Sequence, residues 1–207
     1  MSLKAFATYL LLPFHRPTQA IKSLTKDSHK LSYAALAILL QGVLYTCTVF
    51  IGHRNGFGAV TTPFLNIPAE DYYYWETFFT IPVFFLTVLV FAGTARLLAA
   101  AWGGRGSFEN AFALYGLALV GPTLVTMWLP ETILMVFFPD YRLEPLGGFS
   151  VFPTWVDAVR QLAGGVWPVI ITGLGITHSE KLSRWKSALV TFLAAVPTVT
   201  LTLIFVR

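Results

Sequence analysis

Charge is what this chain has least of. Only 12% of its 207 residues are charged, against 56% hydrophobic, and its mean hydropathy is +0.67. A soluble chain of this length could not cover that balance with polar surface. Cysteine is nearly absent too. The single Cys47 lies inside an apolar stretch, which excludes an internal disulfide and any cysteine-based metal site. His15, His29, His53 and His178 are too scattered to suggest a metal centre. No nucleophile elbow, zinc-protease motif, phosphate loop or dinucleotide fingerprint occurs. Intramembrane hydrolysis would need Ser, His or paired Asp well inside apolar helices, and the interior charges are missing. The chain therefore predicts no catalytic residue, metal or cofactor.

Five long apolar stretches are what it does have. Crossing a hydrocarbon core takes about 20 helical residues, and the first stretch, Leu31 to Gly52, carries no charge. The second, Glu76 to Ala101, has Glu76 at one mouth, Arg96 within snorkelling reach of the other, and Pro82 placed to kink its first third. The third runs from Phe108 to about Leu129 and contains Pro122. Its tail, Pro130 to Phe138, is too short to cross again and is expected to lie in the outer interface. The fourth, about Gln161 to Thr177, is short and rich in glycine (Gly164, Gly165, Gly173, Gly175), with Pro168 early in it. The fifth extends from Ser187 to Val206. The predicted fold is an all-α membrane bundle of five transmembrane helices (31–207), preceded by a basic, amphipathic interfacial segment (1–30).

An odd number of spans puts the termini on opposite sides, and basic residues decide the orientation. With a cytoplasmic N-terminus, ten Lys and Arg fall inside and four outside; acids fall three inside and seven outside. The prediction is N-in and C-out, as in a bacterial inner membrane. The net charge of +4 and the pI near 9.3 then mark a cytoplasmic face set against anionic headgroups rather than a nucleic-acid surface.

The first thirty residues do not form a signal peptide, because their apolar run is short and no small-residue cleavage site follows. Leu3, Phe6, Ala7, Leu10 and Phe14 share one helical face. After Pro17, Ala20, Ile21 and Leu24 align opposite Lys22 and Lys26. Helices lying on anionic lipid fit this pattern, and so does an ordered tail packed on the bundle. Together Arg16, Lys22, Lys26, Lys30, Lys181, Arg184 and Lys186 compose a basic surface suited to anionic lipid or an acidic membrane-protein partner.

Ionisable residues near membrane depth are the sharper functional pointers, since placing one there is costly. Glu76, Glu131, Asp157 and Arg160 fall at similar outer depth and compose a candidate acidic mouth for a cation or headgroup. Solvated helix-end charges give the same pattern. At the inner face, Arg96 and Glu109 flank a short turn and are expected to pair. Tyr115, about two turns into the third span, needs a hydrogen-bond partner inside the bundle. The run Tyr72-Tyr73-Tyr74-Trp75, with Trp102, Trp128, Trp155 and Trp185, suits an interfacial aromatic belt. The glycine-rich fourth span is where a contact between copies of the chain is expected.

The turn Gly103-Gly104-Arg105-Gly106-Ser107-Phe108, with Ser107 as helix cap, leads into Tyr115-Gly116 and Pro122. With the Arg16-Pro17 segment, Trp167, Gly173, His178 and the run Ser183-Arg184-Trp185-Lys186-Ser187, this order resembles the Yip family, the Ypt/Rab-interacting membrane proteins, and more closely its bacterial members. The resemblance implies a compact five-span bundle and little chemistry. The chain lacks the long acidic, proline-rich N-terminal region and the Asp-Leu-Tyr-Gly-Pro element of eukaryotic members, so their GTPase association does not carry over. The reading that follows is a non-enzymatic membrane protein that organises lipid or protein partners. The alternative is a small transporter or channel for an ion or lipid, suggested by Pro82, Pro122 and Pro168 and by the acidic mouth.

Overall fold

The computed structural model describes residues 2–59, 64–137, 143–144, 148–149 and 154–206. Two short helices, α1 (Leu3–Leu11) and α2 (Pro17–Leu24), precede α3 (Lys30–Arg54) and α4 (Ala69–Ala101). Then come α5 (Phe108–Thr123), a π-helical turn (Leu124–Trp128) and α6 (Leu129–Phe137), followed by α7 (Thr154–Glu180) and α8 (Arg184–Phe205). Between α6 and α7, Leu143–Glu144 and Gly148–Phe149 form a small antiparallel ladder. Five of these helical stretches are long and apolar enough to cross a membrane.

Side-chain size sets how the spans meet. They close a ring in the order α3, α4, α8, α7, α5, with α4 and α5 also touching across the middle. Small residues line the seams: Ala34, Ala37, Ala92, Ala99, Ala113 and Ala194 are all buried. A side chain at Gly116 would press within 3.2 Å of Ile38 and 3.3 Å of Ala34. Backbones that approach so closely gain dispersion contacts, the main attraction available when lipid is as apolar as the core.

The spans differ from the sequence-based expectation in three places. The stretch Pro130 to Phe138 is not a separate interfacial tail: helix resumes at Leu129 after the π turn, so the third apolar stretch runs from Phe108 to Leu134; Phe138 lies outside the described residues. Secondly, α4 runs through Pro82, and α7 and α8 run through Pro168 and Pro197, whereas Pro122 is followed within two residues by the widened turn. Thirdly, the fourth helix is longer than its glycines suggested, reaching from Thr154 to Glu180.

The N-terminal helices are part of the packed structure. Phe6 and Tyr9 of α1, with Ile21 and Leu24 of α2, share one buried cluster with residues of α3, α4 and α5. Burying Ile21 and Leu24 removes apolar surface worth about 1.5–3 kcal/mol each relative to exposure in water. Tyr9 donates a 2.8 Å hydrogen bond to Asp27, and the Leu10 carbonyl lies 2.8 Å from where a side chain at Gly121 would begin. Of the two placements the amphipathic pattern allowed, the apolar face of α2 takes the one against the bundle. The face expected for the first helix divides: Phe6 is buried and Leu10 half-buried, while Leu3, Ala7 and Phe14 remain exposed.

Candidate functional site

Polar residues inside the bundle collect in two places, one at each end. The far end, opposite α1 and α2, is organised by a stripe on α3. Gln41, Tyr45 and Thr48 stand four and three residues apart, on one helical face, and all three are buried. Thr123 of α5 donates to Gln41 at 3.2 Å. The Tyr45 hydroxyl donates to Glu76 of α4 at 3.0 Å. Thr48 and Thr132 of α6 share a 2.5 Å hydroxyl contact. Without water in the hydrocarbon layer, such groups have to find each other.

The π turn explains the rest of this end. Its geometry displaces the backbone from the regular ladder, and Arg160 of α7 donates to the Thr126 carbonyl within it at 2.9 Å. The same nitrogen lies 3.2 Å from Glu131. One helical turn along α7, a side chain at Gly164 would fall 2.7 Å from the Thr126 hydroxyl. Pro122, the π turn, Arg160 and Gly164 are therefore one packing device. Glu76 joins the neighbourhood through Tyr45, whose ring stands edge-on to Trp128 at a centroid distance of 4.6 Å.

Of the four residues expected at an outer acidic mouth, the structure joins Glu131 to Arg160 and brings Glu76 to the adjoining aromatic pair. The Asp157 side chain lies outside the described residues. The group is enclosed: Glu76 is 0% and Glu131 8% exposed, which is the environment of a buried polar core. Among the described residues no three His, Cys, Asp or Glu side chains are grouped to hold a metal ion.

At the basic end the organising residue is Glu180, the last of α7. Its carboxylate accepts from the Arg96 guanidinium at 3.0 Å and from the Gly106 amide at 2.7 Å. Its own carbonyl accepts from the Arg105 amide at 3.1 Å. A side chain at Gly106 would lie 2.5 Å from the carboxylate, and one at Gly104 would lie 2.7 Å from it. Gly103 adopts φ +86°, a conformation that penalises any side chain. The glycine-rich turn is thus shaped to wrap a carboxylate, and Ser107 caps α5 as expected, accepting from the Asn110 amide at 3.3 Å.

The expected Arg96–Glu109 pair is corrected by this arrangement. Arg96 points back toward α7 and Glu180, while Glu109 turns to a hydrogen bond with Ser107. The basic surface also divides. Lys30 is tied to Asn110 at 2.6 Å and to the Thr25 carbonyl at 3.3 Å, and Lys186 reaches the Trp102 carbonyl at 3.4 Å. Arg16, Lys22, Lys26, Lys181 and Arg184 are exposed.

Two further expectations change. The Tyr115 ring stacks on Phe91 at 3.7 Å, but its hydroxyl meets no hydrogen-bond partner among the described residues. The aromatic run divides by face. Tyr74 and Trp75 are exposed as a belt requires, whereas Tyr72 and Tyr73 are buried, and Tyr72 donates to the last carbonyls of α8, Ile204 and Phe205, at 3.2 Å each. Of the α7 glycines, Gly164 packs on Met127 and Gly175 on Leu114, while a side chain at Gly165 would meet nothing within 4 Å.

Glu180 was missed as a site residue because its partners lie 74 and 84 residues away, and nothing local marks them. The stripe of Gln41, Tyr45 and Thr48 did have a signal: polar residues at helical spacing in a span without charge.

Apolar helices of membrane-spanning length, sealed at both ends by buried polar contacts, define a multi-pass helical membrane protein. The chain belongs to the Yip1 domain family, whose domain matches residues 12–206, as the glycine turn and helix order implied. No curated protein and no solved structure matches it.

Proposed function

We propose that the protein is a non-enzymatic organiser of the bacterial inner membrane, oriented N-in and C-out, whose cytoplasmic end gathers anionic lipid headgroups. The observation that carries this reading is the mounting of α2. Ala20, Ile21 and Leu24 fix one face of that helix in the core, leaving Lys22 exposed on the other and Lys26 exposed just past its end. Arg184 and Trp185 are exposed at the same end, a cation beside an amphipathic ring as suits a headgroup layer. A cation held on a rigid mount loses less conformational freedom on meeting a phosphate than one on a floppy tail. Near an anionic leaflet each such residue contributes roughly 1 kcal/mol.

The test is lipid retention. Purified protein, reconstituted in equal parts phosphatidylglycerol and phosphatidylcholine, should retain phosphatidylglycerol preferentially when bound lipids are counted by native mass spectrometry. Lys22→Glu with Lys26→Glu should remove that preference without lowering thermal stability. Equal retention of both lipids by the unaltered protein would sink the reading. The transporter alternative would rest on the widened turn after Pro122; α4 and α7 run on through Pro82 and Pro168, and Glu76 and Glu131 are buried.

A further inference from the structure

A cavity of about 360 Å³ opens between α5, α7 and α8, within the size range of ligand pockets, about 300–1,000 Å³. It is long rather than round. Its lining runs from Tyr115 to Met127 along the third span and from Thr191 to Val199 along α8, roughly 12–18 Å parallel to the helices at about 1.5 Å per residue. No ionised side chain lines it.

Three of the four hydroxyl residues lining this cavity sit at one end. Tyr115, Thr172 and Thr191 each lie seven or eight residues from the basic end of their helix, about 10–12 Å along it. Toward the far end the lining includes Leu119, Val169, Ala195 and Val199, and the fourth hydroxyl, that of Thr123, is taken up by the Leu119 carbonyl and Gln41. Two hydroxyls nearer the basic end lack partners. Most threonines in these spans donate to the carbonyl four residues back, as Thr177, Thr191 and Thr198 do. The Thr172 hydroxyl does not: it is buried with no hydrogen-bond partner, in a residue 1% exposed. Tyr115 holds its ring against Phe91 and likewise leaves its hydroxyl unused. An unpaired buried hydroxyl such as that of Thr172 is costly, and with the half-buried Tyr115 hydroxyl at the same end of the slot it is complementary to a ligand that brings acceptors there.

We propose that this cavity binds a neutral acyl lipid of the mono- or diacylglycerol class. Its ester carbonyl or hydroxyl accepts from Tyr115 and Thr172, and one acyl chain lies along the slot toward Val199. The absence of a lining charge disfavours an ionised headgroup inside the cavity. The two hydroxyls lie about 10–12 Å from the basic ends of their helices, a depth that the ester of a neutral glycerolipid reaches because it has no charged headgroup to keep at the surface. Gly165 keeps the slot open, since a side chain there would meet nothing within 4 Å.

The protein reconstituted in phosphatidylcholine nanodiscs would be irradiated with a diacylglycerol carrying a diazirine in its acyl chain, and labelled peptides mapped. Label should concentrate on α7 and α8 around the cavity and be competed by unlabelled diacylglycerol but not by added phosphatidylglycerol. Gly165→Leu should cut that labelling at least tenfold, and Thr172→Val several-fold. Thr172→Ser should restore it, and Gly93→Leu, at another open glycine, should leave it intact. In the absence of diacylglycerol, Thr172→Val should melt at the same or a higher temperature, because it removes an unpaired hydroxyl, so lost labelling cannot be ascribed to misfolding. Labelling spread evenly over the lipid-facing helices, or unchanged in Gly165→Leu, would overturn the proposal. Equal competition by phosphatidylglycerol would assign the slot to bilayer phospholipid and overturn it as well. Failure here would leave the cationic surface untouched, since α2 takes no part.

Discussion

Arg96 and Glu180 stand 84 residues apart in the chain and meet at 3.0 Å, with Glu180 nearly buried and Arg96 partly exposed. This contact fastens the end of α7 to the last turns of α4 and, through the Gly106 amide, to the start of α5. One carboxylate thus serves three elements.

Removing that carboxylate should loosen the whole basic end. Glu180→Ala strands the Gly106 amide and the Arg96 guanidinium, a loss of about 2–3 kcal/mol by the usual worth of hydrogen bonds to charged groups. Gly106→Ala places a methyl against the carboxylate and should cost about 1–3 kcal/mol through overpacking. Thermal denaturation in detergent, followed by tryptophan fluorescence, measures both. An unshifted melting temperature for Glu180→Ala would mean the contact is incidental.

At the other end, Glu131 and Arg160 have side chains only 10% exposed. Breaking a buried pair leaves one uncompensated charge, so Glu131→Leu or Arg160→Met alone should cost about 3–5 kcal/mol, while the double variant should cost far less than their sum. Additive losses in the same melting assay would contradict the coupling.

The N-terminal helices should respond to pH from both sides. Burial and the hydrogen bond to Asp27 push the Tyr9 hydroxyl up to about 12. A group raised in the folded state supports folding below its ordinary value near 10 and loses that support as pH climbs toward 12. Asp27 is held below its ordinary 3.8, first by the His29 amide and then by Tyr9. Its contribution is present above 3.8 and is lost as pH falls through its lowered value. The protection of residues 2–28 from hydrogen exchange, taken relative to the intrinsic rate at each pH, should therefore fall below about pH 4 and above about pH 10. Tyr9→Phe should remove the alkaline limb. Gly121→Ala, which crowds the Leu10 carbonyl, should raise exchange at every pH without unfolding the five spans.

Orientation can be read with single cysteines. Cys47 is the only native thiol, so Cys47→Ser gives a silent background. Ser2→Cys should then label from the cytoplasmic side alone and Val206→Cys from the opposite side. Labelling of both from one compartment would refute the proposed arrangement.

Much of the fold was legible in the residues because the bilayer imposes one rule: apolar stretches of sufficient length become helices. The five spans, the Ser107 cap and the interfacial Trp75 and Trp185 follow from length, spacing and edge position. What was illegible depended on which helices become neighbours. Arg96 had two acids at comparable depth, Glu109 close in sequence and Glu180 distant. Only the packing of α7 beside the glycine turn decides between them. Likewise Tyr72 and Trp75 lie in one aromatic run, and the rotation of α4 sends the first into the core and the second outward. The outer acids illustrate the same limit. Their depth could be read from span ends, but their enclosure depends on the π turn after Pro122, which has no signature beyond the proline itself.

The docking of α1 and α2 bears on how the protein is made. Their seats lie on α5 and α7, which emerge from the ribosome only after the first two spans have been synthesised. The basic leader cannot settle until most of the polypeptide exists, so its lysines remain free while the earliest hairpin commits to a direction across the membrane. Closing this end of the bundle is then a late event in assembly, because α2 has no seat until the fourth span has been made.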